Sequence, residues 1–124
     1  GMCFLHSHSP PVVHGALSTS NILVDERFRA KISDFGLSMS MEDVATSFYS
    51  MAPEVLQGER PTAESDSYSF GITLCELMAR SQPYKGEAPE SAIASIVSPL
   101  VQRRPQIPPE SPVVLQRIMQ RTWL

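Results

Sequence analysis

Membrane-length apolar runs are missing from this 124-residue chain. No stretch approaches the ~20 consecutive apolar residues that a bilayer span requires. The segment from Gly1 to Pro11 lacks the basic-then-apolar layout of a signal peptide. Cysteine is scarce: Cys3 and Cys75 stand alone with no C-x-x-C spacing. That leaves no basis for a disulfide framework or a thiolate zinc site. It predicts two buried thiols packing as small apolar groups in a reducing compartment. Basic runs are missing as well. The ten Lys and Arg are scattered, no run exceeds Arg103-Arg104, and the net charge is −3. There is no electrostatic case for nucleic acid or for direct contact with an acidic membrane. His6 and His8 have H-x-H spacing without a third ligand nearby, and read as surface histidines rather than a metal site.

What is present is a chain of short elements. Gly1 to His8 reads as a helix end with Met2, Leu5 and Phe4 on its apolar side, stopped by Pro10-Pro11. Ile22-Leu23-Val24 and Ala30-Lys31-Ile32 flank the turn Asp25-Glu26-Arg27-Phe28 and read as a hairpin running to Ser33. Leu37 to Ser50 has no period and reads as a loop. Pro53 opens a short helix, Glu54 to Gln57, closed by Gly58.

A longer helix over about 65–80 starts at Ser65 or Asp66 and ends before Pro83. It places Phe70, Leu74, Leu77 and Met78 at i, i+4, i+7, i+8, which predicts a central buried helix. Ile93, Ile96, Val97 and Leu100 mark a further helix. Five prolines between Pro99 and Pro112 make an extended connector. A last helix from about Val113 places Val114, Leu115, Ile118 and Met119 inward. It ends at Trp123-Leu124 inside an apolar run, which reads as a chain cut from something longer. The fold class expected is mainly α with one short β-hairpin.

Four motifs stand in order along this framework. His14-Gly15-Ala16-Leu17-Ser18-Thr19-Ser20-Asn21 is followed, thirteen residues after Asn21, by Asp34-Phe35-Gly36. Ala52-Pro53-Glu54 and Asp66-Ser67-Tyr68-Ser69-Phe70-Gly71 come next. Together they resemble the catalytic loop, magnesium motif, activation-segment end and central-helix opening of the protein kinase superfamily. The resemblance covers residues 1–124 as most of a kinase C-lobe, with the N-lobe and the final C-terminal helices absent. No G-x-G-x-x-G loop, strand Lys or partner Glu occurs in the chain. Two groups are the most similar. Arg104-Pro105-Gln106-Ile107-Pro108 resembles tyrosine-kinase-like serine/threonine kinases. His14-Gly15-Ala16-Leu17…Asn21 and Met119-Gln120-Arg121-Thr122-Trp123 resemble the kinase-homology domain of receptor guanylyl cyclases. Phe35 departs from the latter, where Tyr is common.

The resemblance implies roles residue by residue. Asp34 and Asn21 match the two magnesium ligands, and hard oxygen donors suit that ion. The plainer alternative is that Asp34 accepts backbone hydrogen bonds and Asn21 caps a turn. Leu23 matches the floor of the adenine pocket. His14, Phe35, Gly36, Glu54 and Asp66 match structural positions, with His14 as a core imidazole bonded to backbone. The base position is Ala16, whose methyl group cannot accept a proton, so no catalytic residue transfers. Gly15 and Ser18 stand where Arg and a basic residue would be. Glu54 matches a residue that pairs with an Arg beyond the last helix, and Arg103 and Arg104 lie too early to serve.

The function these matches imply is a pseudokinase, a regulatory or scaffolding module that works through protein partners or a neighbouring domain in the cytoplasm. Mg-ATP binding is implied for a full-length protein and none for this fragment alone. The alternative is a weakly active serine/threonine kinase that transfers the ATP γ-phosphate to protein hydroxyls.

Overall fold

The computed structural model describes residues 1–34 and 48–123. Helix α1 (Met2–His6) leads into an extended segment. A 3-10 turn, Thr19–Asn21, then opens the hairpin of β1 (Ile22–Val24) and β2 (Ala30–Ile32). A second 3-10 turn, Phe48–Ser50, precedes α2 (Pro53–Leu56), α3 (Ala63–Ala79), α4 (Pro89–Val97) and α5 (Val113–Thr122). The chain is mainly helical with one two-stranded antiparallel sheet. Among the described residues, no helix is long and apolar enough to cross a membrane.

The hairpin pairs Ile22 with Ile32, Leu23 with Lys31 and Val24 with Ala30. Asp25 staples its turn. The carboxylate accepts from the backbone N–H groups of Arg27 and Arg29, and from the Arg29 side chain at 2.8 Å. Such Asx bonding is how an acidic residue fixes a tight turn.

Helix α3 is the axis of the fold. Thr62 and Ser65 form a reciprocal capping box, Ser65 N to Thr62 Oγ1 and Thr62 N to Ser65 Oγ, which satisfies two donors the helix start would leave open. The helix therefore begins before the expected Ser65 or Asp66. It ends at Ala79, with Arg80 behind it in a left-handed conformation, φ 50°.

The buried face of α3 differs from the expected one. Ser65, Asp66, Tyr68, Ser69, Gly71, Ile72, Thr73 and Cys75 are buried. Phe70 and Leu77 are exposed, and Leu74 and Met78 are only half-buried. That face can be buried because the Ser65, Ser69 and Thr73 hydroxyls each find a carbonyl about one turn back. Ser69 Oγ donates to Ser65 O at 3.0 Å and Thr73 Oγ1 to Ser69 O at 2.8 Å. Small side chains on that face also admit close neighbours. At Gly71 an added Cβ would collide with Thr122 Oγ1 and lie 2.7 Å from Trp123 Nε1, so α5 packs against this glycine.

Two apolar clusters flank the helix. Ala52, Tyr68 and Ile72 pack with Val55 and Trp123. Tyr84, Ala92 and Ile96 pack with Tyr49 and Leu56. The proline-rich connector is held to them by its two arginines. The Arg104 guanidinium lies 5.2 Å from the Tyr68 ring centre, and that of Arg103 lies 5.0 Å from Tyr84 while forking onto Glu87.

Other expectations are corrected. Cys3 is exposed and only Cys75 is buried. Phe4 is exposed, and α1 stops at His6, well before Pro10. Leu100 is almost fully exposed because α4 ends at Val97 and the chain turns, Gln102 N bonding to Ser98 O. Val114 faces solvent in the first turn of α5, whereas Met119 is fully buried.

Candidate functional site

The catalytic-type loop is anchored from below by one carboxylate. Asp66, in the first turn of α3, is buried and accepts three hydrogen bonds. They come from His14 N at 2.8 Å, Gly15 N at 2.8 Å and His6 Nε2 at 2.9 Å. A carboxylate out of water needs this degree of satisfaction. The backbone at His14 and Gly15 is thereby fixed to the central helix, and Gly15 takes a left-handed φ of 77°, which glycine permits at no steric cost.

His14 is buried and held at both ring nitrogens. Its Nε2 lies 2.9 Å from Ser33 O, and Ala16 N donates to its Nδ1 at 3.1 Å. The bonding assigns the proton to Nε2. The imidazole thus ties the loop to the end of β2.

Ala16 follows, half-buried, with only a methyl group where the motif would carry a carboxylate. Its carbonyl accepts from Asn21 Nδ2 at 2.8 Å. Asn21 therefore closes the loop on itself, and this bond engages its amide nitrogen while Oδ1 has no partner among the described residues. Ser18 is buried and its Oγ has no partner among the described residues. Thr19 Oγ1 donates to Glu76 Oε2 at 3.2 Å, a second tie to α3. Burial raises the Glu76 carboxyl above its ordinary value, and the Thr19 bond partly offsets that.

Ser33 joins the two expected metal ligands. Its N–H donates to Asn21 O at 2.9 Å, and its Oγ lies 3.0 Å from Asp34 Oδ2. Asp34 is exposed with φ 59°, a backbone state unusual outside glycine, Asn and Asp. The hairpin thus brings Asn21 and Asp34 to its open end. Among the described residues no group of three or more His, Cys, Asp or Glu side chains could hold a metal unaided. Two hard oxygens, Asp34 Oδ1 and Asn21 Oδ1, have no hydrogen-bond partner among the described residues. That set fits magnesium, which keeps several waters and takes its other ligands from phosphates.

Leu23, matched by resemblance to the floor of an adenine pocket, lies on β1 and is 55 % exposed. Phe35 and Gly36 lie outside the described residues. Glu54 is half-buried in α2 and makes no ion pair among the described residues. His6 was expected at the surface. Its bond to Asp66 joins residues sixty apart in sequence, and no local pattern signals it. The Thr19–Glu76 bond and the role of Ser33 are equally silent in the sequence.

The protein tyrosine and serine/threonine kinase family model matches residues 1–124. The probable serine/threonine-protein kinase drkC of Dictyostelium discoideum is 36% identical over 133 aligned positions, covering 99% of this chain and 17% of the relative. Serine/threonine-protein kinase CTR1 of Arabidopsis thaliana is 40% identical over 77% of the chain and 12% of the relative. The proto-oncogene serine/threonine-protein kinase mos of Rattus norvegicus is 42% identical over 70% of the chain and 28% of the relative. The chain spans less than a third of the length of each of these relatives. With a family model matched from end to end and a relative 36% identical over 99% of its length, this chain belongs to the protein tyrosine and serine/threonine kinase family.

Proposed function

We propose that this domain is a pseudokinase, a kinase-like module that regulates a neighbouring domain or assembles protein partners in the cytoplasm. The observation that supports this reading is Ala16. It occupies the base position in a loop whose other supports are in place: Asp66 on the His14 and Gly15 amides, Asn21 on the Ala16 carbonyl, His14 on Ser33. The loop has a kinase-like frame without its proton acceptor. Losing a positioned base lowers a rate by roughly 10²–10⁴-fold, about 3–5 kcal/mol of barrier. Ser18, short and uncharged, removes the cation that would steady a transferred phosphate. The H-G-x-L resemblance to the kinase-homology domains of receptor guanylyl cyclases also favours regulation over catalysis.

Mg-ATP binding belongs to this proposal for the full-length protein. Asp34 and Asn21 would hold the magnesium. The ion, when bound, neutralises phosphate charge. The chain's own part is to keep two oxygens at the end of the hairpin and to hold the loop rigid.

The test is phosphotransfer from radiolabelled ATP by the full-length protein, beside its Ala16→Asp and Asp34→Ala variants. The expected result is no transfer above background from the unmodified protein. Clear transfer that Asp34→Ala abolishes would replace this reading with that of a weakly active serine/threonine kinase.

A further inference from the structure

Helix α3 ends in an unusual way. Arg80 takes the left-handed conformation, φ 50°, which costs a non-glycine residue energy. The turn that follows and the 3-10 turn Thr19–Asn21 border a groove of about 500 Å³. That is within the roughly 300–1,000 Å³ typical of ligand sites. Two of its lining side chains, Arg80 and Lys85, are cations. Neither makes an ion pair or a side-chain hydrogen bond among the described residues.

The rest of the lining gives the groove its chemistry. Leu77, 53 % exposed, supplies an apolar wall. Gln82 offers a side-chain amide with no hydrogen-bond partner among the described residues. Glu76 is the single acid in the lining, and it is already engaged by the Thr19 hydroxyl. On a chain of net charge −3, two unpaired cations beside an exposed leucine form a local surface of opposite sign. Complementary charge of this kind steers encounter and fixes register.

We propose that this groove docks an acidic segment of a partner protein, with carboxylates against Arg80 and Lys85 and an apolar side chain against Leu77. The proposal rests on the regulatory reading above and names the surface through which it acts. Thr19 forms one wall, so the occupant would lie beside the catalytic-type loop, and the Thr19–Glu76 bond offers a route from the groove to that loop.

The test uses the full-length protein on immobilised peptides of Glu and Leu in varied spacing, without Ser, Thr or Tyr. Matched sets replace Glu by Gln or by Lys. The variants are Arg80→Asn, since Asn tolerates the left-handed backbone, Lys85→Gln, and the pair together. Unchanged melting temperatures verify that each variant folds. The unmodified protein is expected to be retained on Glu–Leu peptides and released from both control sets. The double variant is expected to bind about five- to ten-fold more weakly, as befits two partly exposed ion pairs. Equal retention on the Gln–Leu set, or equal binding by the double variant, overturns the proposal. The peptides carry no phosphate-accepting hydroxyl, so transferase activity cannot produce the signal. Detection of phosphotransfer would refute the regulatory reading while leaving this binding result unchanged.

Discussion

The Asp66 carboxylate lies 2.8 Å from the Gly15 amide nitrogen, joining the central helix to the catalytic-type loop across fifty-one residues. Two more donors, His14 N and His6 Nε2, share the same carboxylate. Asp66→Ala would leave these buried donors unsatisfied. Each hydrogen bond to a charged group contributes ~1.5–3 kcal/mol, and breaking a buried polar network costs about 3–5 kcal/mol. The expected loss is about 3 kcal/mol or more by urea unfolding. Asp66→Asn should recover part of it, since one oxygen still accepts. A loss under ~0.5 kcal/mol for Asp66→Ala would mean that the carboxylate is not what anchors the loop.

Gly71 sits where α3 meets α5. Alanine favours a helix by ~1 kcal/mol over glycine, so Gly71→Ala should stabilise if the site had room. It has none: the new methyl would strike Thr122 Oγ1 and crowd Trp123 Nε1. Overpacking of this kind costs about 1–3 kcal/mol. Since Trp123 is the one tryptophan in the chain, the displacement can be followed directly. The expected result is a lower melting temperature with a red-shifted emission. A higher melting temperature with unchanged emission would show that α5 does not pack as described.

The hairpin and the helices were legible in the sequence because their signals are local. Ile22-Leu23-Val24 and Ala30-Lys31-Ile32 carry β-branched residues around a turn that Asp25 can staple. Pro53 and Gly58 bracket α2. The face of α3 was not legible. A search for apolar periodicity selects Phe70 and Leu77, while the helix buries Ser65, Ser69 and Thr73, whose hydroxyls are satisfied within the helix itself. Leu100 and Val114 failed for a different reason. The apolar period was carried past the true helix end at Val97, and into a first turn that faces solvent. In the site, the motif spacing located the loop and Asp66, but not what Asp66 does. That role depends on His6 and His14, which only tertiary folding brings to it.

The start of α3 gives a further test. Thr62 Oγ1 accepts from Ser65 N at 3.2 Å, and Ser65 Oγ accepts from Thr62 N at 2.8 Å. Loss of an N-cap hydroxyl costs about 0.5–2 kcal/mol. Thr62→Ala should fall near 1 kcal/mol in urea unfolding, while Thr62→Asp should retain most of the stability. Asp66 lies one residue after the capping box, so fraying there would loosen the loop as well. Faster amide exchange at Gly15 in Thr62→Ala is the expected companion result. An unchanged exchange rate would separate the cap from the loop.

The alkaline limb of stability should be set by buried phenols. Burial pushes the Tyr68 hydroxyl up to about 12, with the nearby Glu54 charge adding to the rise and the Arg104 guanidinium opposing it. Burial raises Tyr84 as well. Both groups are neutral when folded, and an unfolded chain ionises them near the ordinary tyrosine value of ~10. Between that value and the folded one, the unfolded state holds fewer protons, so stability must fall as pH rises. Below the ordinary value neither group contributes any slope. The measurement is urea unfolding from pH 9 to 11.5. The unmodified protein should lose stability steadily above about pH 10. Tyr68→Phe should flatten that limb in part, with Tyr84 supplying what remains. The same variant removes a buried hydroxyl that has no partner among the described residues, so at neutral pH it should be nearly neutral or stabilising. A Tyr68→Phe protein with the same alkaline slope and a clear loss at pH 7 would show that the hydroxyl is bonded and titrates normally, contrary to its place beneath Arg104.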